Sequence, residues 1–106
     1  MGVAMAKYLG NAFSLQMLKA FPAQVSVEEI EPTEVPADAE SVIGHADTAA
    51  VVSSILGREI PANRVSISLD AGDELYVAQL TGGRLPEGST TLPEGFSLKF
   101  LKVTVK

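Results

Sequence analysis

The residue of this sequence best suited to acid–base chemistry is His45, the single histidine of a chain without cysteine. It precedes the segment A-D-T-A-A-V-V-S-S-I-L-G, in which apolar residues recur at helical spacing and Gly57 is a suitable helix end. His45 is therefore expected where a helix begins, and unpaired backbone N–H groups at such a point favour an anion such as phosphate. A lone histidine is more often a surface or packing residue, so position alone leaves both interpretations open.

Three arginines near expected turns or element ends could bind such an anion: Arg58, Arg64 and Arg84. For any single arginine, a solvated surface position is the commoner outcome. The net charge of −5 opposes electrostatic binding to the phosphate backbone of duplex DNA. An anion therefore has to be bound by a few positive groups at one local site. One histidine with scattered carboxylates lacks the ligand spacing of a metal site, and we expect neither a metal nor another cofactor.

Length and composition indicate one small globular domain. The chain has 106 residues, 46% of them hydrophobic, which suits a single buried core. No apolar run is long enough to cross a bilayer, and the segment M-G-V-A-M-A-K lacks the pattern of a signal peptide, so we expect a cytoplasmic protein. We take Met5 as the candidate natural start, which places the domain at 5–106 and residues 1–4 outside it.

The hydrophobic pattern predicts an α/β or α+β fold with a mixed sheet of about five strands, two flanking helices and no internal repeat. The expected strands are 6–10, 23–30, 64–69, 74–80 and 96–105, and the expected helices are 14–21 and 46–56. The turn D-A-G-D predicts a hairpin between the third and fourth strands. Segment 31–40 is expected to be an acidic loop, and the alternation in the last strand shifts near Leu101, as in a bulged or long strand.

Five motifs occur in order: Y-L-G-N-A-F-S-L at 8–15, S-V-I-G-H-A-D-T-A at 41–49, N-R-V at 63–65, L-Y-V-A-Q-L at 75–80 and R-L-P-E-G at 84–88. Together, from Tyr8 to about Phe100, they resemble the viral anti-CRISPR ring nuclease family and its bacterial relatives. The resemblance implies a homodimeric, metal-independent enzyme of the cytoplasm, which is the host cytoplasm if the protein is viral. Such an enzyme opens cyclic tetra-adenylate, the second messenger of type III CRISPR defence, and so silences that defence.

The resemblance also implies roles for individual residues. His45 matches the catalytic histidine, and Glu87 matches the glutamate of the catalytic site. The implied ligand-binding residues are Asn11, Ser14, Arg64, Gln79 and Arg84, of which the two arginines hold phosphates. The pair Gly82-Gly83 departs from the family pattern, because it makes the loop before Arg84 longer.

RNA chemistry is compatible with these roles. A 2'-hydroxyl can attack the adjacent phosphorus, and a protonated imidazole can supply the proton that the departing 5'-oxygen needs, an effect of about 10² to 10⁴ in rate. Glu87 then stabilises the imidazolium or positions the hydroxyl, or is an ordinary turn carboxylate, and Ser14 is also a natural helix N-cap. Two alternatives remain open: a module that sequesters a cyclic oligonucleotide or nucleic acid without cutting it, and a structural dimer in which I-G-H only caps a helix.

Overall fold

A computed structural model describes residues 6–106, so the candidate start at Met5 and residues 1–4 lie outside the described part. The described chain contains five strands, one α-helix and two 3-10 helices. The strands are β1 (Lys7–Gly10), β2 (Val25–Ile30), β3 (Glu40–Ser41), β4 (Glu74–Thr81) and β5 (Ser97–Val105). The helices are α1 (Ala46–Leu56) and the 3-10 helices Leu15–Met17 and Pro32–Glu34.

The strands form one mixed sheet in the order β2-β5-β4-β1-β3. β1 runs parallel to both β3 and β4, whereas β5 runs antiparallel to β4 and to the edge strand β2. The prediction of a single α+β domain with a mixed five-stranded sheet is confirmed. None of the helices in the described residues is long and apolar enough to cross a membrane.

The predicted strand 64–69 and its hairpin with 74–80 are wrong. Residues 61–68 carry no regular secondary structure, and Leu69 forms only an isolated parallel bridge with Leu18. The count of five strands is met instead by the short strand β3, which lies at the end of the segment expected to be a loop.

The turn D-A-G-D, residues 70–73, does not close a hairpin and instead contacts the start of β1. The buried carboxylate of Asp73 accepts hydrogen bonds from the backbone N–H of Ala6, at 3.0 Å, and from that of Asp70, at 2.8 Å. The turn is thereby bound to the start of β1, and β4 leaves it to pair with β1 and β5. A long-range contact therefore overrides the local hairpin signal.

The first predicted helix, 14–21, is only the 3-10 helix Leu15–Met17. Beyond it, the backbone N–H of Leu69 donates to the carbonyl of Met17, at 2.6 Å, and that of Lys19 donates to the carbonyl of Leu69, at 3.4 Å. These bonds hold residues 17–19 in an extended arrangement, which ends the helix before its second turn.

Both faces of the sheet carry a hydrophobic cluster. On one face, Ala49 and Val52 of α1 pack with Tyr76, Ala78 and Phe100. The other face is covered by a cluster that includes Leu18, Leu69, Leu75, Val77 and Val103. Because both faces are apolar, successive residues of β5 can be hydrophobic without a bulge, and the pairing of β4 with β5 runs in one continuous register through Leu101. Of the two interpretations offered for this strand, the long strand is the observed one.

Candidate functional site

The candidate site lies at the carboxyl ends of three adjacent parallel strands, β3, β1 and β4, which reach the same edge of the sheet. Asn11 follows β1, His45 lies between β3 and α1, Gln79 lies near the end of β4, and Arg84 follows that strand. All four residues line one hollow of about 400 Å³. The other lining residues are Asp47, Thr48, Ala78, Leu80 and Leu85.

His45 is the N-cap residue of α1, with extended backbone angles of φ −124° and ψ 127°. The prediction that a helix begins beside it is confirmed, as is the end of that helix at Gly57, which adopts a left-handed φ of 71°. The His45 carbonyl accepts the N–H of Ala49 at 3.0 Å. Among the described residues its exposed side chain caps no helical N–H group, so the imidazole can face a ligand next to the free N–H groups of the first turn.

The loop after β4 brings Arg84 to the hollow through its glycine pair. Gly82 and Gly83 have φ values of 119° and 116°, which residues with a side chain rarely adopt. A Cβ atom on Gly82 would also lie 2.8 Å from the carbonyl oxygen of Gly95. The turn that carries Arg84 therefore requires glycine at these two positions.

Three of the predicted site residues do not line the hollow. Glu87 is exposed farther along the Arg84 loop. Arg64 lies beside the backbone just before His45, since a Cβ atom added to Gly44 would meet its Cγ at 3.5 Å. Ser14 caps the first 3-10 helix by accepting the N–H of Gln16 at 3.2 Å, and it lines a separate hollow. The capping role of Ser14 is observed, and its ligand role stays a prediction.

Arg58, the remaining arginine, has an architectural contact. Its Nη2 donates to the carbonyl oxygens of Pro36, at 2.9 Å, and Val35, at 3.4 Å. Arg58 thereby ties the acidic segment 31–40 to the end of α1. This leaves Arg64 and Arg84 as the arginines near His45.

Asp47 and Thr48 also line the hollow, although neither was predicted from the sequence to be a site residue. Asp47 Oδ1 also accepts the backbone N–H of Gly88, at 3.2 Å, and so contacts the loop that carries Arg84 and Glu87. The sequence feature that could have identified Asp47 and Thr48 as site residues is their position just after His45. Among the described residues, no group of three or more His, Cys, Asp or Glu side chains could hold a metal ion.

Comparisons with known proteins agree on one family. A model of the STIV B116-like family matches residues 7–97, a stretch that includes all the predicted site residues. Among solved structures, the chain is similar to B116 of Sulfolobus turreted icosahedral virus, with 26% sequence identity and a TM-score of 0.79. The similarity covers 93% of this chain and 98% of that one. A search of curated proteins finds no match.

Proposed function

This chain belongs to the STIV B116-like family, and on that basis we propose that it is a metal-independent ring nuclease that opens cyclic tetra-adenylate. By removing this messenger it would switch off type III CRISPR signalling. The observation that carries the proposal is the hollow in which Asn11, His45, and the pair Gln79 and Arg84 meet from three separate parts of the chain. The motif resemblance supplies the identity of the ring.

The proposed reaction uses a nucleophile of the substrate itself. A ribose 2'-hydroxyl attacks the adjacent phosphorus, the bond to the 5'-oxygen breaks, and the products are a 2',3'-cyclic phosphate and a 5'-hydroxyl. His45 in its protonated form donates a proton to the departing 5'-oxygen. The 2'-hydroxyl proton passes to solvent or to the carboxylate of Glu87. Because the nucleophile is internal, the protein has to orient the ribose and protonate the leaving group.

Local positive groups explain how an acidic chain can bind a polyanion. Arg84 lines the hollow and can offer its guanidinium to a ligand there, and the first turn of α1 offers oriented N–H groups. Arg64 lies beside the same helix start. The net charge of −5 then opposes nonspecific binding of nucleic acid without preventing recognition at this site.

A second copy of the chain is required to surround the ring. A hollow of about 400 Å³ is at the small end of the range for a drug-sized ligand, so one chain holds only part of a four-nucleotide ring. A ring with four phosphates is compatible with two-fold symmetry, and a two-fold dimer presents each site residue twice. Arg64 and Arg84 of both chains would then provide one guanidinium for each phosphate.

The segment 64–68 offers a surface for that second copy. Within residues 6–106, its backbone groups form no backbone–backbone hydrogen bond. The side chain of Val65 is 50% exposed. Open backbone donors and acceptors beside an exposed valine suit pairing with the same segment of another chain across a two-fold axis.

We expect the protein to be a dimer in solution and to bind one ring per two chains. Val65→Asp should weaken the dimer and lower ring affinity in parallel, because a charge would enter the proposed interface. Light scattering and titration calorimetry measure the two quantities. Phe21→Asp is the control, since Phe21 is an exposed hydrophobic residue, at 71%, that is not one of the residues lining the hollow. A monomer with full activity in the presence of the ring would contradict this assembly.

The exposed position of Glu87 favours a second candidate function, sequestration without cleavage, because in the free chain this carboxylate does not line the hollow with His45. Releasing bound nucleotide by denaturing the protein separates the two functions. A nuclease releases linear products, and a sequestering module releases the intact ring.

A further inference from the structure

Residues 82–95 form a loop whose two ends approach each other closely. A Cβ atom on Gly82 would lie 2.8 Å from the carbonyl oxygen of Gly95 and 2.9 Å from Cα of Phe96. The loop carries Arg84 and Glu87 between these ends. This close approach fixes only the two ends of the loop. The positions of Arg84 and Glu87 therefore depend on contacts made by the middle of the loop.

Two contacts hold the middle of the loop against α1. The backbone N–H of Gly88 donates to Asp47 Oδ1 at 3.2 Å, and Ser54 Oγ donates to the carbonyl of Thr90 at 2.6 Å. Asp47 and Ser54 are seven residues apart in α1, so they lie on the same side of the helix about two turns apart. The loop therefore runs along α1, starting at the end where His45 lies.

We infer that Asp47 is a positioning residue for the reaction proposed above. By accepting the N–H of Gly88, it fixes the adjacent Glu87, and with it Arg84, at the helix start that bears His45. This inference rests on the proposed function. Ser54 is the second holding contact, farther along the same side of α1.

The charge of Asp47 supports this assignment. It is the one acidic side chain among the residues that line the hollow, where it faces the proposed polyanionic ligand. A carboxylate there repels phosphate, so it weakens ligand binding. The hydrogen bond from Gly88 to Asp47 can offset this repulsion, because it holds the loop that brings Arg84 to the hollow.

The competing explanation is that Asp47 only stabilises α1, since an acidic residue in the first turn interacts favourably with the helix dipole. Two substitutions separate the explanations. Asp47→Asn keeps an oxygen that can accept the Gly88 N–H but removes the charge. Asp47→Ala removes both.

Trypsin cleavage after Arg84 measures how well the loop is held, independently of any activity. In Asp47→Ala this cleavage should be roughly threefold to tenfold faster, as expected for the loss of one hydrogen bond. Asp47→Asn should stay near the wild-type rate, and Ser54→Ala should lie between the two. Cleavage after Lys102, which lies within β5, reports global unfolding and should not change. Glu94→Ala is the matched control, because Glu94 is an exposed acid of the same loop without a hydrogen bond among the described residues.

Ring cleavage provides the second readout. Asp47→Ala should lower kcat, because the loop is released in a larger fraction of the molecules, whereas Asp47→Asn should rescue most of that loss and bind the ring more tightly. An unchanged trypsin rate in Asp47→Ala, or an Asp47→Asn variant as impaired as Asp47→Ala, would overturn the positioning role. An intact ring after incubation with the wild-type protein would instead overturn the proposed function, whatever the trypsin rates.

Discussion

His45→Ala should bind cyclic tetra-adenylate about as tightly as the wild-type protein and cut it roughly 10² to 10⁴ times more slowly. The reason is that an acid contributes when charge develops on the departing 5'-oxygen, and contributes little to binding of the intact ring. Single-turnover cleavage and titration calorimetry give the two quantities. The variant should fold normally, because the His45 side chain is exposed.

His45→Asn is the matched control for the helix. Asparagine is a favourable N-cap residue, so this variant should keep or improve the start of α1 while lacking an acid. Both variants should therefore lose cleavage, although Asn can add a side-chain cap that neither His45 nor Ala provides. If either cuts the ring as fast as the wild-type protein, His45 is a helix-cap residue and not the general acid.

Replacing Arg84 or Arg64 by alanine should weaken ring binding by at least roughly 100-fold. A hydrogen bond to a charged group contributes about 1.5 to 3 kcal/mol, and each substitution removes two such contacts from a symmetric site. The salt dependence of binding should also become weaker, because fewer phosphates are neutralised. Calorimetry over a range of salt concentrations measures both effects.

Two basic residues away from the hollow serve as controls for these arginines. Lys106→Ala removes the same charge from an exposed position at the end of β5 and should leave the dissociation constant unchanged. Arg58→Ala should lower the free energy of unfolding, because Arg58 donates to the carbonyls of Val35 and Pro36, but it too should keep ring affinity. Unchanged binding in both Arg64→Ala and Arg84→Ala would show that the phosphate contacts are misassigned.

The parts of the fold that were predicted correctly are those specified by local signals. Helix α1 has the predicted bounds because its apolar spacing and its glycine end lie within one short segment. The prediction of a strand at 64–69 was wrong because a strand forms only when another strand pairs with it. The alternation of apolar and polar residues in 64–69 does not indicate whether such a partner strand is present. The predicted helix 14–21 failed for a related reason, since Met17 and Lys19 bond to a residue distant in sequence.

The candidate site could be predicted in part. Motifs identified residue types, and the parallel strands explain why Asn11, His45 and Gln79 meet at one edge of the sheet. The contact between Asp47 and Gly88 spans 41 positions of the sequence and has no local signature. Arg64 lies outside the hollow of the single chain, which is the arrangement expected if the complete site is formed by two chains.

The most direct test of the account is the chemistry of the products made by the unaltered protein from cyclic tetra-adenylate in the presence of EDTA. Mass spectrometry should find linear adenylates that end in 2',3'-cyclic phosphate, with di-adenylate as the final product if both symmetric sites cut. The rate should be the same with and without the chelator. Recovery of the intact ring after hours would contradict the proposed nuclease activity, and cleavage that EDTA abolishes would contradict its metal independence.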